Sequence, residues 1–195
     1  LSLHDALPIC WGTFAPTGTS TLTFDTNHTV APGLSGTDNN DGGVVGTLTL
    51  NTDVVFANGG QFNYALKDPG IGDGLSLLAI NGNLNITASA GGFTLKLFTY
   101  DYSNSLGFAN LTLGNTYNIP IATVSGTLTG FSPSAFTVDA TNFQLGQWSP
   151  TVFTVSQSGN TLYLNFTAVP EPSTYALLAL GLGTLVVPAL RRRRP

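Results

Sequence analysis

Leu78-Ala79-Ile80-Asn81-Gly82-Asn83-Leu84-Asn85-Ile86 decides how the chain is read. Two short apolar runs flank an Asn-Gly turn, and from Asn83 onward polar and apolar residues alternate strictly. Alternation with period 2 places successive side chains on opposite faces of a strand, and Asn-Gly is a strong turn signal. Leu22 and Phe24 repeat the pattern between Thr21, Thr23 and Asp25, as do Leu48 and Leu50 between Thr47, Thr49 and Asn51. Leu95 and Leu97 around Lys96, residues 152–155, and Leu162, Leu164 and Phe166 around Tyr163 and Asn165 continue it. Turn residues separate these runs at 38–43, 58–60, 68–70, 91–92 and 158–160. One face of each predicted strand is apolar and the other is polar without charge.

Composition says the same over the whole length. The 195 residues hold 27 Thr, 23 Gly and 16 Asn, against one Glu (Glu171), two Lys (Lys67 and Lys96), four Arg and no Met. Thr favours strands, Gly and Asn favour turns, and the strongest helix formers are scarce, so an all-β body is expected over residues 13–168. Only 8% of the residues are charged, against roughly 25% in an average soluble domain. The charge is also divided: residues 1–170 carry nine Asp and two Lys, for -7, while residues 171–195 carry Glu171 and four Arg, for +3. An acidic body without Arg has no surface to neutralise phosphates, which excludes nucleic acid as a partner.

Gly46-Thr47-Leu48-Thr49, Gly82-Asn83-Leu84-Asn85 and Gly126-Thr127-Leu128-Thr129 echo one another at spacings of 36 and 44 residues. Unequal spacing suits rungs with loops of different length, and a right-handed β-solenoid (β-helix) is the expected architecture. Its stacked Thr and Asn would form ladders without charge repulsion. A β-sandwich is the alternative, because alternation and turns satisfy it equally.

The two ends read as processing segments. Residues 1–12 lack an initiator Met and contain neither a basic n-region nor an apolar h-region, so they are read as a truncated or non-native N-terminus. The opening residues resemble a translated sequencing adapter, and Cys10, the sole cysteine, reads as a stray thiol. At the other end a 16-residue apolar run, 175–190, is followed at once by Arg191, Arg192, Arg193 and Arg194. As a helix the run would be about 24 Å long, close to the hydrocarbon thickness of a bilayer, and no polar face interrupts it. Arg clusters stay cytoplasmic, so a single C-terminal transmembrane helix over 174–190 would leave the body outside and residues 191–195 as a cytoplasmic tail.

Immediately before the run stands Val169-Pro170-Glu171-Pro172-Ser173. The prolines break a preceding strand and hold Glu171 extended, which makes 169–173 a presented linear motif. Val169, Pro170, Glu171 and Pro172, the hydrophobic helix and the Arg-rich tail together resemble the PEP-CTERM sorting signal of Gram-negative bacteria. That resemblance implies recognition by exosortase, a membrane-embedded cysteine protease or transpeptidase, after export through the inner membrane. It also implies delivery to the cell surface or extracellular matrix alongside exopolysaccharide and biofilm production. Residues 56–86 resemble the passenger-associated strand repeats of autotransporters. Gly130-Phe131, Phe136-Thr137-Val138 and residues 153–159 look like the terminal rungs of PEP-CTERM surface proteins.

Candidate chemistry in the body is thin. Acid-base hydrolysis wants two carboxylates in different environments, yet the sole Glu lies in the sorting motif and the Asp residues sit mostly in turns. No catalytic residues and no cofactor are expected. Asp38, Asn39, Asn40 and Asp41, or Asp68 and Asp73, offer oxygen ligands for calcium without an EF-hand or nonapeptide spacing, so plain turns are the better reading and no metal site is assigned. His28 stands alone and reads as a surface residue. Tyr64, Tyr100, Tyr102, Tyr117, Trp148 and Tyr163 could stack on sugar faces, with ordinary core and edge positions the simpler account. Two functions follow. The first is a non-catalytic structural or adhesive surface protein; the alternative is a carbohydrate-binding module, assisted by calcium, with exopolysaccharide as the partner.

Overall fold

The computed structural model describes residues 12–16, 20–33, 44–71, 74–112, 114–144, 148–150 and 152–170. In chain order the strands are β1 (Gly12–Phe14), β2 (Thr21–Phe24), β3 (Thr29–Val30), β4 (Thr47–Leu50), β5 (Asp53–Phe56) and β6 (Gln61–Leu66). They continue with β7 (Leu77–Ile80), β8 (Leu84–Ile86), β9 (Phe93–Thr99), β10 (Thr116–Val124) and β11 (Leu128–Thr129). A short 3-10 helix, Pro133–Ala135, leads into β12 (Phe136–Asn142), and β13 (Trp148–Pro150), β14 (Thr154–Ser158) and β15 (Thr161–Pro170) complete the described fold.

Each of the first nine strands pairs, in parallel, with the strand three places later. The chain therefore visits three sheets in succession and returns to the first one strand spacing farther on, about 4.8 Å. One sheet runs β1-β4-β7-β10, the second β2-β5-β8-β11 and the third β3-β6-β9-β12. Sandwich sheets are antiparallel; these three are parallel along their whole stacked length. Antiparallel pairing enters at the C-terminal end, where β15 runs back along β10 and is itself paired by β14 and β13.

Alternation places the apolar side chains inside each three-strand circuit. Leu48 lies in register with Leu78, Leu50 with Ile80, Val54 with Leu84, Phe56 with Ile86, Phe62 with Leu95 and Tyr64 with Leu97. All twelve are buried. Burying each such side chain contributes roughly 1.5–3 kcal/mol, and their stacking on equivalent positions gives a continuous core along the axis. Backbones stacked this closely leave no room at some corners: a Cβ on Gly60 would stand 2.3 Å from Phe24 O, and Gly130, at φ +72°, would place one 2.2 Å from Ile86 O.

Polar ladders, mostly of amides and hydroxyls with the carboxylate of Asp53 among them, run down the corners between strands. Asn83 donates from its backbone N (2.7 Å) and Nδ2 (3.1 Å) to Asp53 Oδ1, and its Oδ1 accepts from Thr127 N and Oγ1, both at 2.9 Å. Asn81 Nδ2 donates to Asn51 Oδ1 at 2.8 Å, and Asn58 Oδ1 accepts from Ser89 N at 2.8 Å. Like charges at one strand spacing would repel, whereas amides and hydroxyls donate to one neighbour and accept from the next. The low charge of the body follows from this stacking.

Tyr64 breaks the pattern of a purely apolar interior. Its side chain is fully buried, and its hydroxyl has no hydrogen-bond partner among the described residues. Burial alone drives its pKa far above the ordinary tyrosine value. Tyr64→Phe should therefore raise the unfolding free energy by about 1 kcal/mol, because it removes an unpaired buried hydroxyl and leaves the ring in place. Urea denaturation of the full chain in detergent micelles checks this; a destabilised variant would show that the hydroxyl is satisfied.

Strand limits differ from expectation in two places. Within residues 152–155, β14 starts at Thr154, and Val152 is 66% exposed. At the end of the body, β15 runs through Val169 to Pro170, with Trp148 opposite Pro170 and Pro150 opposite Ala168, although the prolines were expected to stop the strand. Proline lacks only the donor on its own nitrogen, which a strand end can spare. Among the described residues no helix is long and apolar enough to cross a membrane; the expected span at 174–190 lies outside them.

Candidate functional site

Equivalent positions in the second and third circuits are 30 residues apart at the β5-β8 corner, and 44 apart at the next one. Of the fourteen added residues, three fall between Ile86 and Thr94 and eleven between Thr99 and Ala122, in the loop between β9 and β10 and the first half of β10. The loop folds back on the turn that follows β6: Tyr100 N donates to Leu66 O (2.9 Å) and Asn110 N to Lys67 O (2.8 Å). Asp101 Oδ1 holds the loop's own bend by accepting from Ser103 N and Ser105 N, at 2.8 and 3.1 Å.

The two segments meet at Asp68. Its Oδ1 accepts from Gly70 N at 2.7 Å, an Asx turn that shapes the loop after β6. Its Oδ2 accepts from Asn110 Nδ2 at 2.8 Å and from the Tyr102 hydroxyl, while Asn110 Nδ2 also lies 3.0 Å from that hydroxyl. The bonds from Asn110 and Tyr102 hold the Asp68 carboxyl below the ordinary aspartate range, despite burial, and the same contact raises the Tyr102 phenol. Asp68 is thus anionic at neutral pH. Lys67 stands beside it with Nζ 2.9 Å from Asn104 Oδ1 and 5.7 Å from the centre of the Tyr102 ring.

A cavity of about 400 Å³ opens between this cluster and the first half of β10. Asp68, Asn110, Asn115 and residues 116–120 line it, with Leu75 and buried Ile119 supplying apolar surface. Tyr117 is fixed in the wall: its hydroxyl accepts from Thr112 N at 2.6 Å, and its ring stacks on Phe166 with centroids 5.1 Å apart.

Of the six aromatic residues considered for sugar stacking, Tyr102 and Tyr117 come to this site. Tyr64 and Tyr100 are buried, Tyr163 sits on β15 opposite Pro120, and the Trp148 side chain lies outside the described residues. Among the described side chains no common strip forms, because they fall on different elements and faces. Asp68 is drawn to Tyr102 and Asn110; Asp73 and residues 38–41 lie outside the described residues. Among those described, no group of three or more His, Cys, Asp or Glu is placed to hold a metal. His28 is paired, with Nδ1 hydrogen-bonded to Asp25 three residues earlier, a partner that the positive φ of Asn27 brings within reach. The sequence reading missed Asn110 and Asn115. Their one signal was the lengthened spacing before Gly126, which marks an inserted loop.

The second functional segment starts inside β15. Ala168 is fully buried, donates from its N to Asn115 O (3.1 Å) and accepts from Gly114 N (2.8 Å). Val169 pairs with Ser149. Glu171, Pro172 and Arg191, Arg192, Arg193 and Arg194 lie outside the described residues.

The PEP-CTERM protein-sorting motif matches residues 168–194. This is a signal for exosortase-dependent sorting of an exported protein, with exosortase as the processing partner. No curated protein and no solved structure matches the chain.

Proposed function

We propose that the chain is a non-catalytic surface or matrix protein, whose body is a right-handed β-solenoid serving as a structural or adhesive element in an exopolysaccharide layer. The sorting motif at 168–194 carries this reading. In it, residues 174–190 hold the protein in the inner membrane, residues 191–195 remain cytoplasmic and the acidic body faces outward before delivery to the surface. The three parallel sheets and the corner ladders support a solenoid of the kind autotransporter passengers use. A stacked body whose exterior is polar and sparsely charged suits a hydrated neutral polysaccharide, since its amides and hydroxyls offer hydrogen bonds.

Deleting the gene in an exosortase-bearing host should lower the polysaccharide retained on washed cells, and the full chain supplied in trans should restore it. Equal retention in the deletion strain would remove the proposed role. A carbohydrate-binding module, assisted by calcium through its acidic loops, is the second reading. The polar cavity beside Asp68 favours its glycan-binding part.

A further inference from the structure

β10 has a strand on both sides only over part of its length. With β15 it is in register from Thr116 to Thr123, but with β7 only from Ala122 to Val124. Residues 116–120 thus present an edge, and these same residues line the cavity. A β-bulge between Pro120 and Ala122 marks where the pairing changes. Pro120 tolerates the edge because it has no N–H to leave unpaired.

We propose that this cavity binds a neutral sugar unit of a polysaccharide. Its volume lies within the range of about 300–1,000 Å³ usual for small-ligand sites. Asp68 is the one charged side chain among the described lining residues, and its negative charge disfavours uronates and phosphates while accepting hydrogen bonds from hydroxyls. Asn110 spends its amide protons on Asp68 and Tyr102, which leaves its carbonyl oxygen as an acceptor. The Asn115 side chain, an exposed part of the lining, has no hydrogen-bond partner among the described residues and offers both donor and acceptor. Neighbouring sugar hydroxyls donate and accept together, and such mixed amide and carboxylate groups match them. One face of the Tyr117 ring is covered by Phe166 and its hydroxyl is held by Thr112 N, so this aromatic surface is fixed before any ligand arrives. A peptide strand adding to the same edge would draw on the N–H groups of alternate residues, and Pro120 has none to give.

This inference rests on the reading of the body as a component of a polysaccharide layer, and binding in vitro separates the two. The full chain in detergent micelles is titrated calorimetrically with neutral hexasaccharides of glucose, mannose and galactose, with a polyuronate hexasaccharide, and with a tryptic casein digest. Saturable binding of at least one neutral hexasaccharide, with a dissociation constant below about 1 mM, is expected. Thr112→Trp, which adds a large ring to the exposed lining, should weaken it at least about tenfold, and Asn115→Ala by roughly twofold to tenfold for one lost hydrogen bond. Unchanged melting midpoints show that both variants fold. No binding of any neutral hexasaccharide, preference for the polyuronate or the peptides, or full binding by both variants would overturn the site. Cells that lose polysaccharide on gene deletion would still support the proposed function if the titrations failed.

Discussion

Phe56→Ala should destabilise the body by about 3–5 kcal/mol, the upper range for a single core truncation. Phe56 is fully buried in β5, and its ring stacks on Phe93 with centroids 4.3 Å apart. It also meets Phe24 edge-on at 6.2 Å and Phe62 at 6.5 Å. These partners come from β2, β6 and β9, so one ring joins three successive circuits. The cost of a cavity depends on how far its walls can collapse, and here they hang on backbones held at one strand spacing by parallel ladders. Stability in such a stack is a sum of terms between neighbouring circuits, and Phe56 contributes to two of them. Phe56→Leu, which keeps most of the volume, should cost less than about 1.5 kcal/mol, and Val152→Ala at an exposed position should stay within about 0.5 kcal/mol. Urea midpoints of the full chain in detergent micelles measure all three. A loss below about 1 kcal/mol for Phe56→Ala would mean that the circuits do not share a core.

Strands and turns were legible because alternation and Asn-Gly punctuation are local signals. Leu22, Leu48, Leu84, Leu95 and Leu162 all lie in strands, and 58–59, 69–70, 81–82, 90–91 and 159–160 are turns or bends. The repeat was half legible. Gly82-Asn83-Leu84 and Gly126-Thr127-Leu128 are true equivalents, with Gly126 N bonded to Gly82 O and Leu128 in register with Leu84. Gly46-Thr47-Leu48 belongs to a different sheet; the residue in register with Leu84 on the preceding strand is Val54, within Thr52-Asp53-Val54. Alternation is identical on every strand, so only pairing reveals which strands share a sheet. The stretch 56–86, by contrast, begins and ends on register partners and spans one circuit. The cavity was invisible for a related reason: Asp68 stands 42 residues before Asn110, and only an inserted loop brings Asn110, with Tyr117 close behind it in sequence, to the same site.

Glu171→Ala should leave the protein in the inner membrane and reduce its surface fraction to background in an exosortase-bearing host. Glu171 is the sole Glu of the chain and stands between two prolines. A residue before proline disfavours the helical region and the φ of proline is fixed, so the two prolines would display the Glu171 carboxylate from an extended segment. β15 ends at Pro170, opposite Trp148, one residue before Glu171. The apolar run begins at Tyr175, so the body would be tethered by four residues, roughly 14 Å at full extension. Exosortase would then meet its motif at the membrane surface with the folded body directly above it. Glu171→Gln keeps the shape and removes the charge, so retention of sorting in Gln but not in Ala would assign recognition to hydrogen bonding. The Arg tail makes a separate contribution. Each Arg costs about 2.5–3.5 kcal/mol at the centre of a translocated helix, so under the proposed topology four together would hold the C-terminus in the cytoplasm. Replacing Arg191, Arg192, Arg193 and Arg194 with Gln should release the protein to the medium, because a run of about 24 Å anchors weakly without its stop. Immunoblots of inner-membrane, surface and medium fractions distinguish the outcomes, and an unchanged surface level for Glu171→Ala would remove the motif from the delivery route.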